Sequence, residues 1–365
     1  MDNILEKAIK ILTILNEHNH EAYIVGGYVR DKLINRETND IDICTSATPK
    51  EIMELFPNTE SPNYGSINII YKNTNFDITT FRRDIKYQDN RLPVKIKYIK
   101  SLKKDLLRRD FTINTICMDK DKNIIDLLNA KVDLDNKVIR TVGNPKYRLK
   151  EDSLRILRAI RFATILDFDI EKNTLEYIKE YGYLLNKLSY QRKKQELDKI
   201  FTSKNKEKGI KYLIDLNLTD YLNINNLASI TPCDDLLGIW TQANVDDIYP
   251  FSKSEKEQMK KIREFLRLDI YDKYNIYKYG LYTSTVAYKI RNIDISKLSN
   301  LYKELPITSM KDINITGQEI SNILNKEPGS YIKDILLDLE KQIVNGKLEN
   351  TKEKITEYIL NNSTK

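Results

Sequence analysis

The sequence predicts an α+β chain: an α/β head at the N-terminus, then a long all-helical remainder. Three observations carry that prediction. Short strand patterns, Ala22-Tyr23-Ile24-Val25 and the alternating Ile41-Asp42-Ile43-Cys44, lie between helical patterns in the first third. Beyond about residue 145 the strand signal fades, and amphipathic helical patterns follow one another with short polar breaks. The chain has 365 residues, 41% hydrophobic and 31% charged, which is ample for two or three globular domains and argues against wholesale disorder.

Composition excludes several chemistries. The cysteines, Cys44, Cys117 and Cys233, are far apart and odd in number, which points to a reducing, cytoplasmic compartment. His18 and His20 are the only histidines, so a His-rich zinc site or a His-based triad in the body of the chain is excluded. No apolar run is long enough to span a membrane, and no secretory signal opens the chain. The net charge of +7 is modest, so an argument for nucleic acid rests on where the charge sits.

The elements follow in order. Residues 4–17 carry apolar side chains at helical spacing. The strand 22–25 stops at Gly26-Gly27, and a helix over 28–35 carries Arg30 and Asp31. After the strand 41–44, Thr48-Pro49-Lys50-Glu51 has the capping Thr, early Pro and Glu of a helix start. Further strands are expected at 67–71, 76–81, 113–118 and 123–127, and residues 147–165 form one strong helix pattern.

Two features of the head carry chemistry. Glycines between a strand and a helix let the backbone approach a phosphate, and Arg30 sits one turn into that helix; read alone, Gly26-Gly27 is equally a plain turn. Asp40 and Asp42, two apart on a strand, point to one face. Paired carboxylates there suit Mg²⁺, which keeps waters and takes phosphate oxygens as further ligands; otherwise they are a solvated strand edge. Asp77, on the candidate strand at 76–81, is a possible third ligand, held below Asp40 and Asp42.

Four motifs in order resemble those of the class II tRNA nucleotidyltransferases, the bacterial CCA-adding enzymes and their poly(A) polymerase relatives. They are Val25-Gly26-Gly27-Tyr28-Val29-Arg30-Asp31, Asn39-Asp40-Ile41-Asp42-Ile43, Arg108-Arg109-Asp110-Phe111-Thr112-Ile113-Asn114, and Glu151-Asp152-Ser153-Leu154-Arg155 through Ala163. Leu305-Pro306-Ile307, Ile315-Thr316-Gly317 and the stretch from Pro328-Gly329 to Asn350 resemble the C-terminal region of the shorter bacterial CCA-adding type. The resemblance covers nearly the whole chain and is weakest over 225–300. It implies a polymerase-β-like nucleotidyltransferase head over 1–145, a base-recognising helical neck over 146–210, a helical body over 211–295 and a tRNA-binding tail over 296–365.

The resemblance also implies template-independent addition of CCA to tRNA from CTP and ATP, with Asp40 and Asp42 holding Mg²⁺ and Gly27, Arg30, Arg109, Arg158 and Arg161 binding the nucleotide. Asp152 and Arg155 are i and i+3 in the helix pattern, and as a plain pair they would be a surface salt bridge. Their chemistry nevertheless suits a base. Asp accepts and Arg donates, which matches the amino group and ring nitrogen shared by cytosine and adenine and opposes uracil and guanine. In the family the matching residues act as a protein template.

Charge clusters in two places. Residues 82–109 hold eleven Lys/Arg against three Asp, include Tyr87, Tyr98 and the turn-like 89–93, and occupy the position of a flexible loop that CC-only enzymes lack in part. Residues 187–210 hold eight Lys/Arg against three acids; there Gln191 stands where the family usually has an acid before the arginine, here Arg192. Such faces suit a sequence-independent grip on RNA, or are simply solvated helix surfaces. An A-adding enzyme or a poly(A) polymerase shares the head motifs, and an RNA-binding protein with an inactive head is the reading from a different class.

Overall fold

The computed structural model describes residues 4–57, 59, 65–88 and 92–362. The chain forms two compact units, Met1–Ala228 and Ser229–Lys365. The division falls within the stretch assigned above to the body.

The first unit begins with α1 (Ile4–Glu17), which buries Leu5, Ala8, Ile11, Leu12 and Leu15, one stripe at helical spacing. The head is then built on a six-stranded sheet in the order β3-β4-β2-β1-β7-β8. Its strands are β1 (Ala22–Val25), β2 (Asp42–Thr45), β3 (Ser66–Tyr71), β4 (Thr74–Thr80), β7 (Cys117–Met118) and β8 (Ile124–Ile125). β2 and β4 run parallel and the other pairs antiparallel. Between them lie α2 (Gly27–Leu33) and α3 (Pro49–Leu55); Thr48 and Glu51 close the expected capping box on α3.

Several expectations are corrected. Residues 113–118 are not one strand, because Thr112–Asn114 turn as a 3-10 helix and only Cys117–Met118 pair in the sheet. The basic stretch expected as a loop is instead a hairpin, β5 (Arg82–Gln88) with β6 (Leu92–Tyr98); of the turn-like 89–93, residues 89–91 lie outside the described ones. Two short strands, β9 (Val138–Ile139) and β10 (Asp169–Ile170), pair in parallel, so strand structure extends past residue 145.

The helical part of this unit comprises α4 (Leu102–Leu106), α5 (Ala130–Asp135), α6 (Pro145–Glu151), α7 (Leu154–Leu166), α8 (Lys172–Tyr181), α9 (Tyr190–Phe201), α10 (Lys206–Asp215) and α11 (Thr219–Leu222). The helix expected over 147–165 is broken at Asp152-Ser153. Asp152 is extended (φ −142°, ψ 101°) and its Oδ1 accepts from the Leu154 N–H at 3.1 Å. An Asp competes with the helix ladder by bonding nearby N–H groups, and here it wins.

The second unit is helical: α12 (Leu236–Ala243), α13 (Lys253–Phe265), α14 (Lys273–Ile290), α15 (Ile295–Lys303), α16 (Gly317–Leu324), α17 (Tyr331–Val344) and α18 (Lys352–Asn362). Phe265, Ile276, Leu298, Ile320, Leu339, Ile343 and Ile355 meet in its core. α14 is broken at Gly280 (φ 78°), a backbone state that glycine adopts without strain.

Candidate active site

β1 ends at Val25 and the chain turns at Gly26 into α2. Gly26 has φ 83° and ψ −132°, a conformation reserved for glycine. A Cβ there would face Arg109 Nη1 at 3.7 Å and Asp42 Oδ2 at 3.8 Å. The turn, Arg109 and Asp42 therefore share one small space. Val25, Asp42, Arg108 and Arg109 help to line a cavity of about 360 Å³, within the size range of small-ligand sites.

Asp42 heads β2, with Val25 and Asp77 as its Cα partners on the two neighbouring strands. Ile41 and Ile43 are buried while Asp40 and Asp42 face outward, as the alternation predicts. The Asp42 carboxyl, though it faces outward, is pushed up to about 6, first by the solvation it loses to surrounding atoms, then by the Asp40 charge; Arg109 pulls against this and Asp77 adds to it. Two carboxylates that repel in this way favour a divalent cation between them, and hard oxygen donors suit Mg²⁺-like ions. Asp77 is different. Its carboxylate accepts from Asn68 Nδ2 at 3.1 Å on β3, and among the described residues no three His, Cys, Asp or Glu side chains gather as a metal group. Asp77, the possible third ligand, lies opposite Asp42 and contributes charge from the adjacent strand.

Arg109 pairs with buried Asp105 at 3.4 Å. Burial works against its charge, but Asp105 and then smaller neighbours including Asp42 outweigh it and hold the guanidinium above its usual value. The Arg108 carbonyl accepts from Arg155 Nη2 at 3.1 Å and also from Arg148 Nη2, while the Arg109 carbonyl accepts from Arg148 at 2.9 Å. Arg155 Nη1 also reaches the Arg148 carbonyl at 3.3 Å. Asp152 and Arg155 are therefore not neighbours on a continuous helix surface. Asp152 sits in the break between α6 and α7, Arg155 lies in the first turn of α7, and Arg148 ties both helices to residues 108–109. Burial raises the Asp152 carboxyl, with Arg155, Arg158 and Arg192 pulling it back.

The remaining arginines have partners that the sequence reading did not single out. Arg30 is 5% exposed and bonds Asp31 at 2.8 Å and Asn114 Oδ1 at 2.6 Å. Arg158 Nε donates to Asp110 Oδ2 at 2.8 Å, and Asn114 Nδ2 donates to Asp110 Oδ1 at 3.1 Å. Burial would raise the Asp110 carboxyl, but the Arg158 charge and bonds hold it well below the usual carboxylate range. Arg161 turns to Glu196 on α9 at 3.0 Å rather than to solvent. Arg158 and Arg161 are thus braced side chains, not an open basic face. The signal for these partners was present in part: Asp110 and Asn114 lie within one quoted motif, four residues apart.

The family model for the poly A polymerase head domain matches residues 22–140, that for the probable RNA- and SrmB-binding site of polymerase A matches 167–225, and that for a putative tRNA nucleotidyltransferase domain 2 matches 248–359. A CCA-adding enzyme of Staphylococcus haemolyticus is 34% identical, with 98% of each chain covered. One from Ligilactobacillus salivarius is 35% identical over 96% of this chain and 95% of its own. Among solved structures, the Bacillus stearothermophilus CCA-adding enzyme in complex with CTP superposes with a TM-score of 0.87 at 25% identity, covering 100% of this chain and 98% of that one. The Thermotoga maritima CCA-adding enzyme complexed with tRNA shares the fold, with a TM-score of 0.72 at 22% identity, over 99% of this chain and 98% of that one.

Proposed function

The chain belongs to the CCA-adding enzymes, and from that premise we propose that it builds CCA on the tRNA 3′ end with Asp40 and Asp42 as the metal-holding pair and Asp152 and Arg155 as the base-selecting pair. The enzyme is a nucleotidyltransferase that takes CTP and ATP. The tRNA 3′-hydroxyl oxygen bonds the α-phosphorus, the bond to the β-phosphate oxygen breaks, and pyrophosphate leaves with that electron pair while the hydroxyl proton passes to solvent. A divalent cation, Mg²⁺ in this reading, held by Asp40 and Asp42 would supply positive charge to the reacting hydroxyl and phosphates.

The chain's own residues do the rest. Gly26 and Gly27 admit phosphate oxygens close to the backbone, and Arg109 places a fixed positive charge beside them. Arg30, Arg158 and Arg161 bind the nucleotide from braced positions. Asp152 accepts from the base amino group and Arg155 donates to the ring nitrogen, so a uracil or guanine leaves both unsatisfied at ~1–3 kcal/mol per buried group.

The observation that carries this reading is the Arg108-Arg109 dipeptide. Its carbonyls anchor Arg155 and Arg148, while the Arg109 side chain and Asp42 both border the space beside Gly26, 3.7 and 3.8 Å from where a Cβ would stand. Base selection and phosphate chemistry are thereby joined through two consecutive residues.

We assign tRNA grip to the helical segments beyond the head, and the β5–β6 hairpin to the step that adds the terminal A. Cys44, Cys117 and Cys233 are buried and far apart in sequence, in keeping with the cytoplasmic enzyme of this reading. No helix among the described residues is long and apolar enough to cross a membrane.

The test uses purified protein, Mg²⁺ and a tRNA transcript ending before the CCA tail, with each nucleotide supplied singly and in pairs. Three-nucleotide extension requiring CTP and ATP is expected, with none from Asp40→Ala/Asp42→Ala protein or in the presence of EDTA. Extension only of tRNA ending in CC would indicate an A-adding enzyme, and long A runs a poly(A) polymerase. Binding without extension would refute the enzymatic reading.

A further inference from the structure

One ring, Phe162 on α7, meets three of the arginines. Its centroid lies 4.3 Å from Arg161 Cζ, 5.2 Å from Arg30 Cζ and 5.5 Å from Arg158 Cζ. The three come from two separate elements, α2 and α7. The ring is itself fixed: fully buried Phe111 meets it edge-on, with centroids 5.7 Å apart and planes at 77°.

Each guanidinium also has its own carboxylate, Asp31 for Arg30, Asp110 for Arg158 and Glu196 for Arg161. Those carboxylates sit on different elements and hold the arginines one at a time. Phe162 is the group that all three share. Three like charges around a common point repel. Arg161 registers this: burial pulls its charge down first, and Arg158 and Arg30 both add to that pull. An aromatic face carries a negative quadrupole and attracts guanidinium groups, whereas an aliphatic side chain of similar size only fills the space.

We propose that Phe162 is a positioning residue for nucleotide binding, its ring holding Arg30, Arg158 and Arg161 together in the arrangement that receives CTP or ATP. This rests on the assignment of those arginines to the nucleotide site. The arginines are then gathered before the nucleotide arrives, so its binding does not have to collect three mutually repelling groups. Phe162 itself takes no part in the chemistry, and its effect falls on nucleotide affinity rather than on turnover at saturation.

The test is a fluorination series in the full chain, with 4-fluoro-, 3,5-difluoro- and 3,4,5-trifluorophenylalanine at position 162. These keep the ring's shape while weakening its quadrupole stepwise. Dissociation constants for CTP and ATP are measured by equilibrium dialysis, beside KM and kcat for extension. Expected is a graded rise in both dissociation constants and in nucleotide KM, with kcat and the KM for tRNA within about twofold. Phe162→Leu is expected to weaken both nucleotides about tenfold, equivalent to about 1.4 kcal/mol, and Phe162→Tyr to stay near the native value. A flat fluorination series overturns the proposal, whatever Phe162→Leu does to folding. Arg158→Ala separates the two levels. If it weakens CTP while the series is flat, only the role of Phe162 falls. If it binds CTP as the native protein does, the assignment of the arginines falls, and the proposal with it.

Discussion

Removing the charge of Asp110 is expected to loosen the first unit by about 2 kcal/mol, because that carboxylate joins two parts of the site. Its Oδ1 accepts from the Phe111 N–H at 2.8 Å and from Asn114 Nδ2 at 3.1 Å, and its Oδ2 takes Arg158 Nε at 2.8 Å together with Nη2. Asp110→Asn keeps the first oxygen. It replaces the second with an amide that donates, facing two guanidinium donors. A charge-assisted bond contributes ~1.5–3 kcal/mol, and breaking a buried pair costs ~3–5 kcal/mol. Side-chain exposure is 11% for Asp110 but 32% for Arg158, so Arg158 recovers part of its solvation from water. That brings the expected loss to about 2 kcal/mol, or ~4–8 °C in the unfolding midpoint for a unit of this size. The assay is a double-mutant cycle by denaturant unfolding with Asp110→Asn, Arg158→Met and the pair. A coupling of about 2 kcal/mol is expected, since residues in direct contact are non-additive. Additivity within ~0.5 kcal/mol would refute the claim that these two groups hold each other.

Three further outcomes follow from the site. In metal-free protein the Asp42 carboxyl should titrate near about 6 by carbon NMR, and Asp40→Asn should move that midpoint down; an unmoved midpoint would remove Asp40 from its surroundings. Because the folded chain binds this proton more tightly than the unfolded one, the contribution to stability is present below the ordinary value of 3.8 and is lost as pH rises through about 6. Asp152→Asn should erode discrimination of CTP over UTP by ~1–3 kcal/mol, read from single-turnover incorporation, and an unchanged ratio would argue against base selection by this residue. Gly26→Ala should cost ~1–3 kcal/mol in urea unfolding from its positive φ, whereas Gly27→Ala should leave stability within ~1 kcal/mol yet weaken CTP binding; equal stability losses would show that the turn's backbone is not the cause.

Much of the head is legible in the order of residues. Local rules suffice for α1, β1, β2 and the capped start of α3, since apolar periodicity, a Thr-Pro-x-Glu box and a Gly-Gly stop each act within a few residues. The 82–98 hairpin is less legible: Leu92, Val94, Ile96 and Tyr98 do alternate with Pro93, Lys95 and Lys97, but many charges crowd the stretch, and among the described residues β5 and β6 pair only with each other, outside the main sheet. The break at Asp152 was missed for another reason. The periodicity of the flanking residues continues through it, and the competing bond is a single side-chain acceptor to Leu154.

The sequence by itself determined the class of chain, its four ordered motifs, and the alternation of exposed Asp40, buried Ile41 and exposed Asp42 leading into β2, because apolar alternation acts locally. Tertiary structure alone decided what each charge faces. Asp77 meets Asn68, Arg161 turns to Glu196, and the carbonyls of Arg108 and Arg109 receive Arg155 and Arg148. Those contacts link residues from 9 to 47 positions apart, and the choice among possible partners for a buried guanidinium depends on which carboxylate or carbonyl the packing brings within hydrogen-bond reach.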